Sequence, residues 1–360
     1  MEYIDCPLYE MTRTTKTDYW NDSCSPDELS YAIERGAVGA TTNPQIVLTV
    51  LKKDLPYWKE EIKKVVRDNP TWSEFQIAWK VFEMVSLRGA KVLQPVFEKN
   101  NGVNGRLSIQ TNPQNYRNSS ALIEQAAYYN SLAPNIQVKV PVTKAGIEAL
   151  EEIVYRGINI NATVSFTLPQ AIAVAEAVER GLNRREKEGK ETTSMHHVCT
   201  LMVGRLDDWL QITASKEDIL VDPGYLYWPG IAVFKRAYEI YQQRGYRTRL
   251  LVAAYRHHMH WSALIGGDIV HTIPHSWQVL YNASGFPVTP TWDKPVEPVI
   301  VNTLYETFAE FRKAYDPDGL SIDEFDSYGA TARTLRGFIG AVHDLTAVIR
   351  DIMLPNPDVK

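Results

Sequence analysis

Cysteine is scarce in this chain, with three in 360 residues (Cys6, Cys24 and Cys199) at unrelated spacings. That excludes a disulfide framework or a zinc knuckle and suits a reducing cytoplasm. No apolar run approaches the roughly 20 residues needed to span a bilayer, so no membrane partner is expected. The opening MEYIDCPLYEM carries early acids and no apolar core, which argues against a secretory leader. Long basic runs are missing too, and 38 basic against 43 acidic residues leave a net charge of −5. Nucleic acid is therefore not expected as a partner. Internal repeats and low-complexity tracts are also absent.

What is present is a globular composition, 44% hydrophobic and 22% charged, long enough for one large α/β domain with appendages or two smaller ones. Short apolar or alternating runs recur between longer helical patterns. Strands are predicted at 18–22, 37–41, 106–111, 136–142, 160–166, 195–203, 249–256 and 268–273. Amphipathic helices lie between them (PDELSYAIERG, SALIEQAAYYNSL, KAGIEALEEIVYRG and LPQAIAVAEAVERG), two of them ending at a glycine, Gly157 and Gly181. Eight strands alternating with helices predict a parallel sheet closed into a (β/α)8 TIM barrel. Residues 1–282 are expected to form the barrel, with a helical insertion at about 44–102. Residues 283–360 are expected to be a helical C-terminal extension packed on it.

Side-chain alternation then sorts the strands into two faces. In IQVKVPV, Ile136, Val138, Val140 and Val142 share one face, and Gln137 and Lys139 the other. Asn159, Asn161, Thr163 and Ser165 share a parity in the next strand, as do Arg106, Ser108 and Gln110 in the third and Asp18 and Asp22 in the first. A parallel sheet covered by helices has no wet face, so these polar positions point to the barrel axis. A desolvated amine among amides, hydroxyls and a carboxylate is what imine chemistry requires. The plainer reading is a lysine on an exposed or edge strand.

Four ordered stretches carry a more specific signal: GAVGATTNPQIV (36–47), VKVPVTKAGIEAL (138–150), INATVSFTLPQA (160–171) and VGRLDDW (203–209). They resemble the transaldolase family, over a span from about Asp18 to Gln278. The resemblance implies a (β/α)8 barrel that moves a dihydroxyacetone unit between sugar phosphates through a lysine Schiff base, with no cofactor and no metal. It implies that Lys139 is the Schiff-base lysine and Asp22 a proton-transfer group. Asn43 and Asn161 match residues that bind the dihydroxyacetone hydroxyls, and Thr163 one that helps hold the catalytic water. Arg205 and Arg256 match the two phosphate-binding arginines, and Thr200 stands for another small hydroxyl residue. Both arginines are expected at C-terminal strand ends, where barrel sites are built.

Each of these residues has a structural alternative. Asn43 before Pro44 suits a helix N-cap, Asp22 a cap of the helix beginning near Pro26, and Arg205 a pair with Asp207 or Asp208. His257, His258 and His260, like His196 and His197, tempt a metal reading, but adjacent histidines on a strand point apart.

Three positions depart from the resemblance. Gln110 stands where typical transaldolases carry a glutamate, and the fructose-6-phosphate-aldolase branch also has glutamine there. Met202 occupies a position that is phenylalanine in transaldolases and tyrosine in the aldolase branch. Ala254 replaces a serine that binds phosphate. The expectation is a transaldolase-type transferase, with a lyase releasing free dihydroxyacetone and a non-catalytic sugar-phosphate-binding barrel as alternatives. A homo-oligomer is compatible with the sequence.

Overall fold

The computed structural model describes residues 3–358, so the two outermost residues of the expected units lie outside it. Its strands are β1 (Asp18–Asn21), β2 (Gly39–Thr41), β3 (Arg106–Gln110), β4 (Ile136–Pro141), β5 (Ile160–Ser165), β6 (Val198–Leu201), β7 (Arg249–Val252) and β8 (Ile269–Ile273). Each pairs in parallel with its successor, and β8 closes on β1, completing the expected barrel.

Alternation explains the burial. Ile136, Val138 and Val140 of β4 are buried in the apolar core, while Gln137 and Lys139 between them are buried among polar groups. Register sets the polar residues side by side. Gln110 pairs with Lys139 across β3 and β4, and Lys139 with Asn161 across β4 and β5.

The helices after β2, β4 and β5 start abruptly because a polar side chain caps each of the three. Asn43 Oδ1 accepts from the Ile46 amide at 3.0 Å, Thr143 Oγ1 from Gly146 at 3.0 Å and Thr167 Oγ1 from Gln170 at 3.2 Å. Gly146 is required by contact, since a Cβ there would lie 1.8 Å from the Pro141 carbonyl oxygen.

Several boundaries differ from the sequence reading, and β2 begins at Gly39 rather than 37. β6 begins at Val198 rather than 195. The helix Leu168–Lys187 runs through Gly181, whose missing side chain admits Val154 and the Glu151 carbonyl instead of ending the helix. β7 stops at Val252 because Ala254 takes a left-handed φ of +68°, which leaves Arg256 in a loop.

The stretch after β2 forms three helices, Pro44–Lys53, Leu55–Asp68 and Glu74–Lys99. Beyond β8 and the helix His275–Ala283 come Pro298–Thr307, Ala309–Tyr315 and the long helix Gly329–Met353. That long helix lies against Pro44–Lys53, Glu74–Lys99, Val203–Lys216 and β5, which brings it to the C-terminal end of the barrel. No helix among the described residues is long and apolar enough to cross a membrane.

Candidate active site

Lys139 is 4% exposed, and its Nζ donates one hydrogen bond among the described residues, to the Thr42 carbonyl at 3.3 Å. Asp22 follows the last residue of β1, its amide tied to the Ile273 carbonyl. Its carboxylate accepts from Thr41 Oγ1 at 2.7 Å, and Thr41 Oγ1 lies 2.5 Å from Thr272 Oγ1. Burial pushes Lys139 down to about 8; the Asp22 charge opposes this and Arg205 assists it. Burial likewise raises Asp22, against the pull of Lys139, the Thr41 hydroxyl and Arg205. An ion pair in water would move both groups the other way, so desolvation wins here. The result is an amine that gives up its proton easily beside a carboxyl that takes one easily.

Around this pair the axial polar residues fall into two sets. Thr200 Oγ1 donates to Asn161 Oδ1 at 2.7 Å, Asn161 Nδ2 to Ser108 Oγ at 3.1 Å, and Ser108 Oγ to Gln137 Oε1 at 3.1 Å. Gln110 Oε1 on β3 and Thr163 Oγ1 on β5 are buried without any partner. Buried polar groups in folded proteins are nearly always paired, so two orphans on the strands that flank Lys139 mark a place built to receive polar atoms. The backbone here is itself unusual. A bulge between Ala162 and Ser165 puts Val164 at φ +58°, a conformation that β-branched residues rarely adopt.

The cationic end lies at the start of the helix Val203–Lys216. Arg205, in its first turn, has a buried Nε without a partner, and its guanidinium carbon stands 5.6 Å from the Phe338 ring centre. Arg256 grips Asp208 with Nε and Nη2, the shortest contact being 2.7 Å. Arg333 of the C-terminal helix approaches the same carboxylate at 3.8 Å.

With Lys139 on β4, Asp22 after β1 and arginines beyond β6 and β7, the geometry can be set against known proteins. The profile of the transaldolase/fructose-6-phosphate aldolase family matches residues 19–306. The chain belongs to that family. It is similar to the transaldolase of Thiobacillus denitrificans, at 26% identity over 298 residues that cover 75% of this chain and 82% of the relative. Transaldolase 2 of a Nostoc species is 28% identical over 297 residues, covering 71% and 76%. Transaldolase 1 of Streptomyces avermitilis is 29% identical over 225 residues, covering 61% and 58%.

Within this family frame, the structure gathers Lys139, Asp22, Gln110, Asn161, Thr163 and Thr200 at one end of the barrel. Asn43 sits at the start of its helix and acts as the N-cap, the role read as its structural alternative. Asp18 points away from this group to the opposite end, paired with Arg249 at 2.8 Å. The structural alternative for Arg205, a pair with Asp207 or Asp208, does not form: His260 holds the first and Arg256 the second. His257 and His260 do meet, with ring centres 3.7 Å apart, because they lie past the end of β7 and not on a strand. With Asp207 they form the one such His/Asp trio among the described residues. His260 Nδ1 accepts the Arg256 amide at 3.1 Å, so Nε2 carries the hydrogen it gives Asp207 at 2.7 Å. That tautomer leaves His260 no lone pair for an ion and makes the trio a brace for the Arg256 loop.

Thr41 and Thr272 were missed in the sequence, although the parity of their strands puts them on the axis. Arg333 and Phe338 carry no such signal, because a helical extension does not reveal which strand end it will meet.

Proposed function

We propose that this protein is a transaldolase-type transferase that carries a dihydroxyacetone unit from a ketose phosphate to an aldose phosphate. The observation that carries this reading is the Lys139–Asp22 pair, desolvated together and surrounded by unpaired amide and hydroxyl oxygens. Neutral Lys139 adds to the ketose carbonyl, and Asp22 moves protons as the carbinolamine loses water to give the iminium. The iminium accepts the electron pair of the breaking C3–C4 bond, an aldose phosphate leaves, and the enamine attacks the acceptor aldehyde. Asn43, Asn161 and Thr200 hold the three-carbon hydroxyls, and Gln110 and Thr163 hold the water. Arg205 and Arg256 take the phosphate, for which guanidinium forks suit two-point binding.

One feature favours a second reading. Gln110 matches the glutamine of the fructose-6-phosphate-aldolase branch, so the reaction can also end with protonation of the enamine and hydrolysis of the resulting iminium, releasing dihydroxyacetone and free Lys139. Borohydride trapping with fructose 6-phosphate, followed by peptide mass mapping, separates these outcomes. Transfer requires a reduced three-carbon adduct on Lys139 that disappears when erythrose 4-phosphate is added before the borohydride. An adduct that drains without acceptor supports the lyase, and Gln110→Glu should then shift the balance towards transfer. Absence of any adduct with ketose phosphates rejects both and leaves a sugar-phosphate-binding barrel. The reading also puts the protein in a reducing cytoplasm, where Cys24 and Cys199, buried and with thiols pushed up to about 12, stay unoxidised.

A further inference from the structure

At the other end of the barrel, where Arg106, Val198 and Arg249 open their strands, lies a cavity of about 60 Å³. Four nitrogens on its lining residues are buried without a partner: Trp20 Nε1, Arg106 Nε, His196 Nε2 and His197 Nε2. A fifth, Arg249 Nε, lies 2.9 Å from an Asp268 oxygen and is accounted for. Indole and guanidinium nitrogens only donate. His197 Nδ1 accepts the Ile160 amide at 3.3 Å, so its Nε2 must carry the hydrogen. Burial and the cations around it keep His197 neutral, down to about 3. No oxygen of the lining residues is among the unpartnered buried atoms. Trp20 Nε1, Arg106 Nε and His197 Nε2 are therefore three donors with no acceptor of their own.

Charge narrows the occupant. Arg247 is paired with Glu179 and Glu186, and Arg249 with Asp18 and Asp268. Arg106 is bound only to carbonyls, those of Gly102 at 2.9 Å, Pro134 at 3.3 Å and Ile136 at 3.5 Å. It is 9% exposed and has no carboxylate partner among the described residues. A lone buried cation normally has a counter-ion. One water fits poorly, since its two lone pairs accept from two donors at most and leave the third unmet. The cavity exceeds the roughly 10–15 Å³ that one water requires, leaving room for a few heavy atoms.

We propose that this cavity binds a small inorganic monoanion, of the size of chloride, nitrate or bicarbonate, held by Arg106 and the Trp20 and His197 N–H groups. The site is distinct from the sugar-phosphate end and does not depend on any reading of Lys139. Gln137, on its wall, is also the last member of the hydrogen-bonded row that runs through Ser108 and Asn161. The anion thus stands at the foot of that row.

Crystals of the full chain grown in sodium bromide provide the direct test. An anomalous peak within hydrogen-bond reach of Arg106 Nε and His197 Nε2 is expected, and it should be absent in Arg106→Met. Peaks at surface positions only, with this cavity empty, overturn the proposal. In solution, nitrate should raise the melting midpoint above that in sodium gluconate of equal ionic strength, because gluconate is too large to enter. Trp20→Phe keeps the charge and removes one donor, so it should raise half-saturating nitrate about fivefold. It serves as the test if Arg106→Met does not fold, and a nitrate response unchanged by either variant sinks the idea.

Discussion

Two lysines in this molecule share a depressed basicity and nothing else. Lys139 on β4 and Lys235 in the helix Pro229–Arg244 are both buried, and burial pushes each down to about 8. Lys235 donates to three backbone carbonyls, Thr291 at 2.9 Å, Trp292 at 3.2 Å and Lys294 at 2.5 Å, so all three of its hydrogens are used. It staples the proline-rich connector to the barrel. Lys139 has one carbonyl at 3.3 Å, an aspartate ready to exchange protons, and oxygens nearby that bond to nothing. A shifted pKa identifies a buried amine, not a nucleophile. The unmet hydrogen bonds make the distinction.

The sharpest way to break this comparison is to remove each lysine in turn. Lys139→Met should abolish the borohydride adduct and lower kcat by about 10⁴-fold or more, while Lys235→Met keeps the adduct. If the adduct follows Lys235 instead, the hydrogen-bond criterion is wrong. Next in size is stability. Lys235→Met leaves three carbonyls without their donor and should cost about 2–4 kcal/mol, read as a lower melting midpoint. Lys139→Met should melt no lower than the parent, since it removes a buried amine with one weak bond.

The pH dependence is a smaller effect with a definite sign. Because Lys139 is depressed to about 8, its neutral fraction, and with it the trapping rate, should rise about tenfold per unit below pH 8 and level off above it. A rate still climbing at pH 10 would mean that the amine is not desolvated. The smallest expected effect extends the rule to guanidiniums. Arg205 has an unpaired Nε, whereas Arg256 is occupied by Asp208. Asp208→Asn should lower KM for a phosphorylated acceptor about threefold and leave kcat and KM for unphosphorylated glyceraldehyde unchanged. Equal changes for both acceptors would count against a phosphate role at this end.

The barrel was legible because strand periodicity is local. Ile136, Val138 and Val140 against Gln137 and Lys139 reveal both the strand and its inward face, and the same holds for Asn161 and Thr163 in β5. Boundaries were less legible where tertiary contact overrides local preference. Gly181 reads as a helix end but is a packing glycine against Val154, and Ala254 turns the chain although alanine signals no turn. The site was readable where a residue type is unexpected for its strand, as with Lys139. It was not readable where it depends on which distant segments meet, as with Arg333 beside Asp208, or Asp207 beside His257 and His260. Nor can a sequence reveal that Arg106 lacks a counter-ion, since that is a property of everything around it.

The helix Gly329–Met353 supplies both Phe338 under Arg205 and Arg333 beside Asp208, and it follows all eight strands in chain order. During synthesis the ribosome therefore delivers a complete set of strands, with Lys139 already between its neighbours, before the cationic end has its full complement. A nascent chain thus has all eight strands before it has the finished mouth. A chain cut short before this helix would carry Lys139 and its neighbours but neither Phe338 nor Arg333.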